Sequence, residues 1–404
     1  MSTSILYHGF GLVGYDYVRT QYREGKIIFT IQRKRDKIRC PVCGSRDVVF
    51  RGTTPRRFRA IPIGHKRVFF DLEVQRIGCR RCSCIRQVGL GFADPRFSYT
   101  HAFERYALEL SRLMTIRDVA RHLNISWDVI KEIQKRDLTK RFSKPSLKDL
   151  KRIAIDEISV RKGHQYLTVV LDMIAGAVIF VGDGKGAAAL EPFWKRLRHS
   201  KAKIEAVAMD MSPAYISAVS AHLPEATIVF DHFHVIKLFN DKLSDLRRDL
   251  YREMKDKLHK DVLKGTRWLL LKHPDHLDLS KGEGERLAEA LALNQPLACA
   301  YYLKEDLRQI WLQPNKQQAQ TALADWIKKA ESSGVRMLMK FAKTIAGYKS
   351  GILAYYDFRI SSASLEGTNN KIKTMKRMAY GFRDLQFFKL KIMAIHETKY
   401  ALVG

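Results

Sequence analysis

The sequence predicts a mixed α/β chain of several domains, and three observations predict it. Between residues 151 and 231, short apolar runs rich in β-branched residues alternate with two helical stretches. A long stretch of helical period, 237–345, interrupts that pattern. Ahead of both, a β-rich segment holds five of the six cysteines, and helical segments follow it. At 404 residues the chain exceeds the usual size of one domain.

Residues 1–95 form the first expected module. KIIFTIQ and HKRVFFDLEVQRI are its strand candidates, separated by Gly, Pro and Asp. Residues 96–145 follow, with apolar positions recurring at three and four, and Pro145 lies in a linker. In 146–236 the strand candidates KRIAIDEISV, HQYLTVVLDM and AVIFVGDG come first. Helix AAALEPFWKRL, strand IEAVAMD, helix YISAVSAHL and strand ATIVFD then complete the block. That order is the order of an RNase H-like fold. Residues 237–345 read as an all-helical insertion, and 346–404 as a return to the core through a loop and two basic helices.

Composition narrows the partner. Lys plus Arg number 72 against 42 Asp plus Glu, a formal charge of +30 spread along the chain. Such an excess repels itself unless a polyanion offsets it, and duplex DNA rewards it through counterion release. The 46% hydrophobic content supports real cores and excludes a disordered chain. No segment approaches the ~20 apolar residues of a membrane span, and the first residues do not form a signal peptide. The expected location is intracellular, where disulfides are rare.

Cys40-Pro-Val-Cys43 and Cys79-Arg-Arg-Cys82 are paired with the two-residue spacing that lets both sulfurs reach one Zn²⁺. The residues between the pairs can form a hairpin that returns the second to the first. Gly44 suits the tight turn of a knuckle. Cys84 is a spare that competes with Cys82 for the fourth position. Neither pair follows a strand and opens a helix, which argues against redox use. The basic run from Lys34 to Arg39, with Arg56, Arg57, Arg59, Lys66, Arg67, Arg80 and Arg81, crowds the site and suggests contact with phosphate.

TIRDVARHLNISWDVIKEIQKR fits a helix-turn-helix. Val119, Ala120 and Leu123 pack the first helix, Asn124 takes a left-handed turn and Ser126 caps the second helix. Trp127, Asp128, Lys131, Gln134 and Lys135 are expected to face outward, toward a major groove.

Asp156 follows the apolar run RIAI, and Asp210 follows AVAM. An acid after such a run sits at the carboxyl edge of a sheet, where open α/β folds place ligands. Adjacent carboxylates there repel unless a cation such as Mg²⁺ binds. Asp172, Asp183 and Asp231 also end strand candidates, and pattern alone does not choose among the five. Glu366 begins a cationic segment with Asn369, Asn370, Lys371, Lys373, Lys376 and Arg377, whose polar and basic groups can meet a DNA backbone. Spacing alone reads Glu366 as a capping or surface residue. Asp231, His232 and His234, in DHFHV, read as an accessory element rather than a metal site.

CPVCGS with the later CRRC, DVARHLNISWDVI, IDEISVRKGHQYLTVVLD, AVAMDMSPAY, IVFDHFHVIKLFN and SLEGTNNKIKTMKRMAYGFRD together resemble the ISL3 family of bacterial insertion-sequence transposases, of the DDE, RNase H-like superfamily. The resemblance implies that Asp156, Asp210 and Glu366 are the catalytic acids, with the DHFHV motif of Asp231, His232 and His234 beside them. It places the zinc ligands at Cys40, Cys43, Cys79 and Cys82. It implies cleavage of element ends and their joining to target DNA, with Mg²⁺ or Mn²⁺. Partners would be the terminal inverted repeats and target duplex, bound by a homodimer or higher oligomer near the bacterial nucleoid. The alternative is a zinc-finger and helix-turn-helix regulator with an inert C-terminal half.

Overall fold

The computed structural model describes residues 5–161, 165–230, 232–360 and 363–396. The chain divides between Lys140 and Arg141 into two compact units. Among the described residues no helix is long and apolar enough to cross a membrane.

The first unit is built on a mixed sheet of β1 (Tyr15–Arg23), β2 (Lys26–Arg33), β3 (Val48–Ile63), β4 (Lys66–Cys79) and the short β5 (Ile85–Gln87). The order is β1-β2-β4-β3, with β5 also on β4. Alternation in β4 buries Val68, Phe70, Leu72 and Val74 against Phe29, Ile31 and Phe58. β3 and β4 are the hairpin expected between the cysteine pairs: Ile63 pairs with Lys66 at the turn, and Val48 with Cys79 at the open end.

Helices His101–Leu110, Ile116–Leu123 and Trp127–Phe142 follow. Thr100 and Thr115 cap the first two through their side-chain oxygens. Asn124 is left-handed, φ 49°, and its N–H closes the Ile116–Leu123 helix. The Ser126 hydroxyl accepts from Asp128 N–H at 3.2 Å. Phe103, Val119, Ala120, Leu123, Ile130 and Ile133 form one buried core. The guanidinium of Arg59, in β3, donates to the Leu123 carbonyl at 3.1 Å and fastens sheet to helices.

The second unit carries a sheet of β6 (Arg152–Arg161), β7 (Gln165–Asp172), β8 (Ala177–Asp183), β9 (Ala206–Met209) and β10 (Thr227–Phe230). Its order is β10-β9-β6-β7-β8. β6, β7 and β8 are antiparallel, while β9 and β10 run parallel to β6. Helices Glu191–Ser200 and Pro213–His222 bury Phe193, Trp194, Tyr215 and Val219 against the sheet residues Ile153, Ile155 and Val207.

Helices then run from His232 to Phe358 around a separate core. Helix His232–Glu253 starts straight after β10, so His232 and His234 lie in a first helical turn, not on a strand end. In that core the Trp326 indole donates to the Leu303 carbonyl at 2.7 Å. The buried Lys304 ammonium donates to the Leu270 and Lys272 carbonyls at 2.6 and 3.0 Å. Helices Ala363–Met378 and Leu385–Met393 return to the sheet, against β6 and β8 respectively.

Candidate active site and zinc centre

Register brings the first two acids together. Ala154 of β6 pairs with Ala208 of β9. Parallel partners point the same way, so two residues further along each chain Asp156 stands beside Asp210 on one face. β6 does not end at Asp156, as the apolar run suggested. It continues to Arg161 as the partner of β7, and only its pairing with β9 stops at Ala154. Asp156 therefore lies within a strand, at the mouth left by the shorter neighbour.

Both Asp156 oxygens are held. Oδ1 accepts from Glu157 N–H at 2.7 Å, and Oδ2 accepts from Asn369 Nδ2 at 2.5 Å. Burial pushes the Asp156 carboxyl above its usual range, and the Asp210 charge adds to that. The Glu157 N–H, the nearby His234 and the Asn369 amide offset part of the rise. Asp210 Oδ1 accepts from Ser212 N–H at 3.1 Å. Glu157 points to the opposite face, where it accepts from the Tyr215 hydroxyl at 2.7 Å.

Glu366 is exposed in the first turn of helix Ala363–Met378. It stands three residues before Asn369, hence on the same helix face. The three carboxylates do not close to within 4.8 Å of one another; among the described residues only Cys40, Cys43, Cys79 and Cys82 form a metal-ligating group that tight. The donor set is nonetheless all oxygen, which suits a hard divalent cation: two carboxylates side by side, Glu366 on the facing helix, and a buried Asn369 Oδ1 without a hydrogen bond.

The other strand-end acids have structural partners. Asp172 accepts from Ile174 and Ala175 N–H in the turn after β7, and it pairs with Ile153, toward the opposite end of β6. Asp183 is in an ion pair with Lys389. Asp231 lies outside the described residues.

Two expected DNA contacts are corrected. Gln134 is only 6% exposed, because it lies one turn beyond Ile130 on the buried stripe of its helix. Asn369 is 9% exposed for the same reason, one turn beyond the buried Leu365, and it bonds Asp156. Trp127 is 54% exposed, and Lys371, Lys373 and Arg377 are exposed. Lys131, Lys135 and Lys376 are half-buried, and Lys376 donates to the Ser159 carbonyl at 3.3 Å. Asn369 was missed as a neighbour of Asp156, although helical spacing from Leu365 signals its burial. His234 lies near Asp156, in keeping with an accessory DHFHV element beside the acids.

The cysteine pairs meet at the open end of the β3–β4 hairpin. Cys40 Sγ lies 3.6 Å from Cys82 Sγ, and Cys43 Sγ lies 3.5 Å from Cys79 Sγ. Four sulfurs around zinc at ~2.3 Å stand about 3.8 Å apart, so the cluster is close to that size. The Cys43 and Val42 N–H groups point at Cys40 and hold its thiol down to about 6, whereas burial and the neighbouring sulfurs push the Cys43 and Cys82 thiols up. Cys84 is 3.4 Å from both Cys40 and Cys82, but it is not one of the four that lie mutually within 4.8 Å.

Comparison with known proteins agrees with this layout. A family model described as the zinc-finger of transposase IS204/IS1001/IS1096/IS1165 matches residues 36–82, ending at Cys82. The helix-turn-helix domain of transposase family ISL3 matches residues 90–137. The ISL3 DDE transposase model matches 153–392. The transposase for insertion sequence element IS1001 of Bordetella parapertussis is 34% identical over 95% of this chain and 96% of its own length. That for IS1557 of Mycobacterium tuberculosis is 28% identical, covering 86% and 83%. A chain of the Drosophila P element transposase strand transfer complex aligns with TM-score 0.37 at 11% identity, over 74% of this chain and 92% of that chain, a likeness too slight to bear on the fold. A catalytic-domain match over more than half the chain, continuous with its zinc-finger and helix-turn-helix, makes this chain a DNA transposase of the ISL3 family.

Proposed function

We propose that Asp156, Asp210 and Glu366 are the catalytic acids of this transposase and that they hold Mg²⁺ or Mn²⁺. The observation that carries this reading is the register that sets Asp156 beside Asp210, with the helix of Glu366 bonded to Asp156 through Asn369. A cation bound there supplies Lewis-acid stabilisation of the attacking and leaving oxygens of a phosphodiester. The chain's own part is positional. Glu157 N–H and Asn369 hold the Asp156 rotamer, and exposed Lys371, Lys373 and Arg377 extend a cationic surface from Glu366 for the DNA backbone. The reaction hydrolyses a phosphodiester at the element's end, and the freed 3′-hydroxyl then attacks a target-DNA phosphorus, forming a new phosphodiester and releasing the target strand's own 3′-oxygen as a hydroxyl.

The first unit, with its zinc centre and with Trp127, Lys131 and Lys135 on its second helix-turn-helix helix, binds the terminal inverted repeats. Joining two ends at one target needs two copies, so the working form is at least a homodimer. Incubation with duplexes carrying the ends that flank its own reading frame tests the reaction class. Nicking and joining with Mg²⁺ or Mn²⁺, abolished by chelation, is expected; end binding without either step would support the regulator instead.

A further inference from the structure

Asn369 is more than nine-tenths buried, yet its side chain is half used. An ionised Asp156 only accepts hydrogen bonds, so the Asn369 amide nitrogen must face it. The other end of the carboxamide, Oδ1, is then buried with no hydrogen-bond partner. Such an orphan acceptor destabilises the fold unless something uses it. Its helix is not free to turn away. Thr368 is tied to His396 Nε2, outside the helix, at 3.0 Å, and Leu365, Ile372 and Met375 are buried beside it. The rigid amide places Oδ1 next to the Asp156 carboxylate, on the helix face it shares with Glu366.

We propose that Asn369 is a fourth member of the cation site. Its Nδ2 fixes Asp156, and its Oδ1 accepts the cation or a water of the cation's hydration shell. This inference rests on the catalytic reading of Asp156 and Asp210. It makes the third element of the site a Glu366–Asn369 pair spaced one helical turn apart, not a lone carboxylate. An Asn suits the position because it adds an oxygen donor without adding a further negative charge beside Asp156 and Asp210.

The test is Mn²⁺ binding by the full chain without DNA. The free ion is counted by electron paramagnetic resonance, and binding is read again as the rise in melting temperature that Mn²⁺ confers. Asn369→Ala should weaken Mn²⁺ binding about 10–100-fold, the usual scale for a residue that orients a metal ligand. Asn369→Asp, which keeps an oxygen donor, should bind Mn²⁺ within a few-fold of the parent but melt earlier without it. Asn369→Ala with parental affinity overturns the proposal, and so does loss of affinity in both variants with native circular dichroism. If neither variant folds, Asn369 is a structural residue and the proposal falls. Asp156→Asn and Asp210→Asn separate the two readings. If they bind Mn²⁺ like the parent, the catalytic assignment itself fails; if they lose it while Asn369→Ala does not, only this inference fails.

Discussion

Asp156 shows how a carboxylate drawn out of water is held at a cost to the fold. Its carboxyl is pushed up by burial and by Asp210. Well below the ordinary carboxylate value, about 3.9, native and unfolded chains both keep the proton, and the group contributes nothing to pH dependence. As pH rises from that value through the higher folded-state value, the native chain is penalised for ionising, and the penalty then stays constant. Without divalent cations, Asp156→Asn should therefore gain stability relative to the parent between about pH 4 and 7. Melting temperatures measured across that range check it, and a difference flat with pH contradicts it. The zinc centre makes a second residue-scale prediction. Cys40→Ser or Cys82→Ser should lose the single equivalent of zinc and the cooperative melting of the first unit, whereas Cys84→Ser should keep both. Metal analysis of the purified variants decides it, and zinc loss in Cys84→Ser alone would move the fourth ligand to Cys84.

At the scale of elements, most of the segments were legible because period and punctuation are local. The β3–β4 hairpin follows from two alternating runs, and Asn124 marked the helix-turn-helix corner that its φ of 49° confirms. What was not legible depends on pairing between distant segments. The register of β6 against β9 decides that Asp156 lies within a strand and beside Asp210. No local pattern shows where a neighbouring strand stops. The inward turns of Gln134 and Asn369 were readable from Ile130 and Leu365 by helical spacing, but polarity masked the signal. Close packing of elements also rests on glycine. The Ala189 backbone carbonyl, in the turn Ala187–Leu190, occupies the place a Cβ on Gly182 of β8 would take. Gly182→Ala should cost about 1–3 kcal/mol by forcing that turn off the sheet. A thermal midpoint unchanged within error would show that the turn can move at no cost.

For the whole molecule, the helical insertion between β10 and the helix of Glu366 fills the long sequence gap between Asp210 and Glu366, the proposed second and third acids. Its core is built mostly from its own helices and is joined to the sheet through Phe230 of β10. The net charge of +30 acts over the same scale. Binding to any duplex should weaken steeply with salt, with log K falling by about 0.9 per phosphate neutralised for each tenfold rise in salt. Discrimination for element ends should persist as salt rises, because base contacts rather than phosphates carry it; fluorescence anisotropy with end and random duplexes measures both. The account's central claim is that Asp156, Asp210 and Glu366 act as one site. The most direct test compares end cleavage and strand joining by Asp156→Ala, Asp210→Ala and Glu366→Ala with Asp172→Ala and Asp183→Ala, at saturating end DNA with Mg²⁺. The account predicts that each of the first three loses both steps by at least about a thousandfold, ~4 kcal/mol of barrier, while still binding DNA. The last two should keep most activity. Near-parental cleavage by Glu366→Ala, or equal loss in Asp172→Ala, would contradict it.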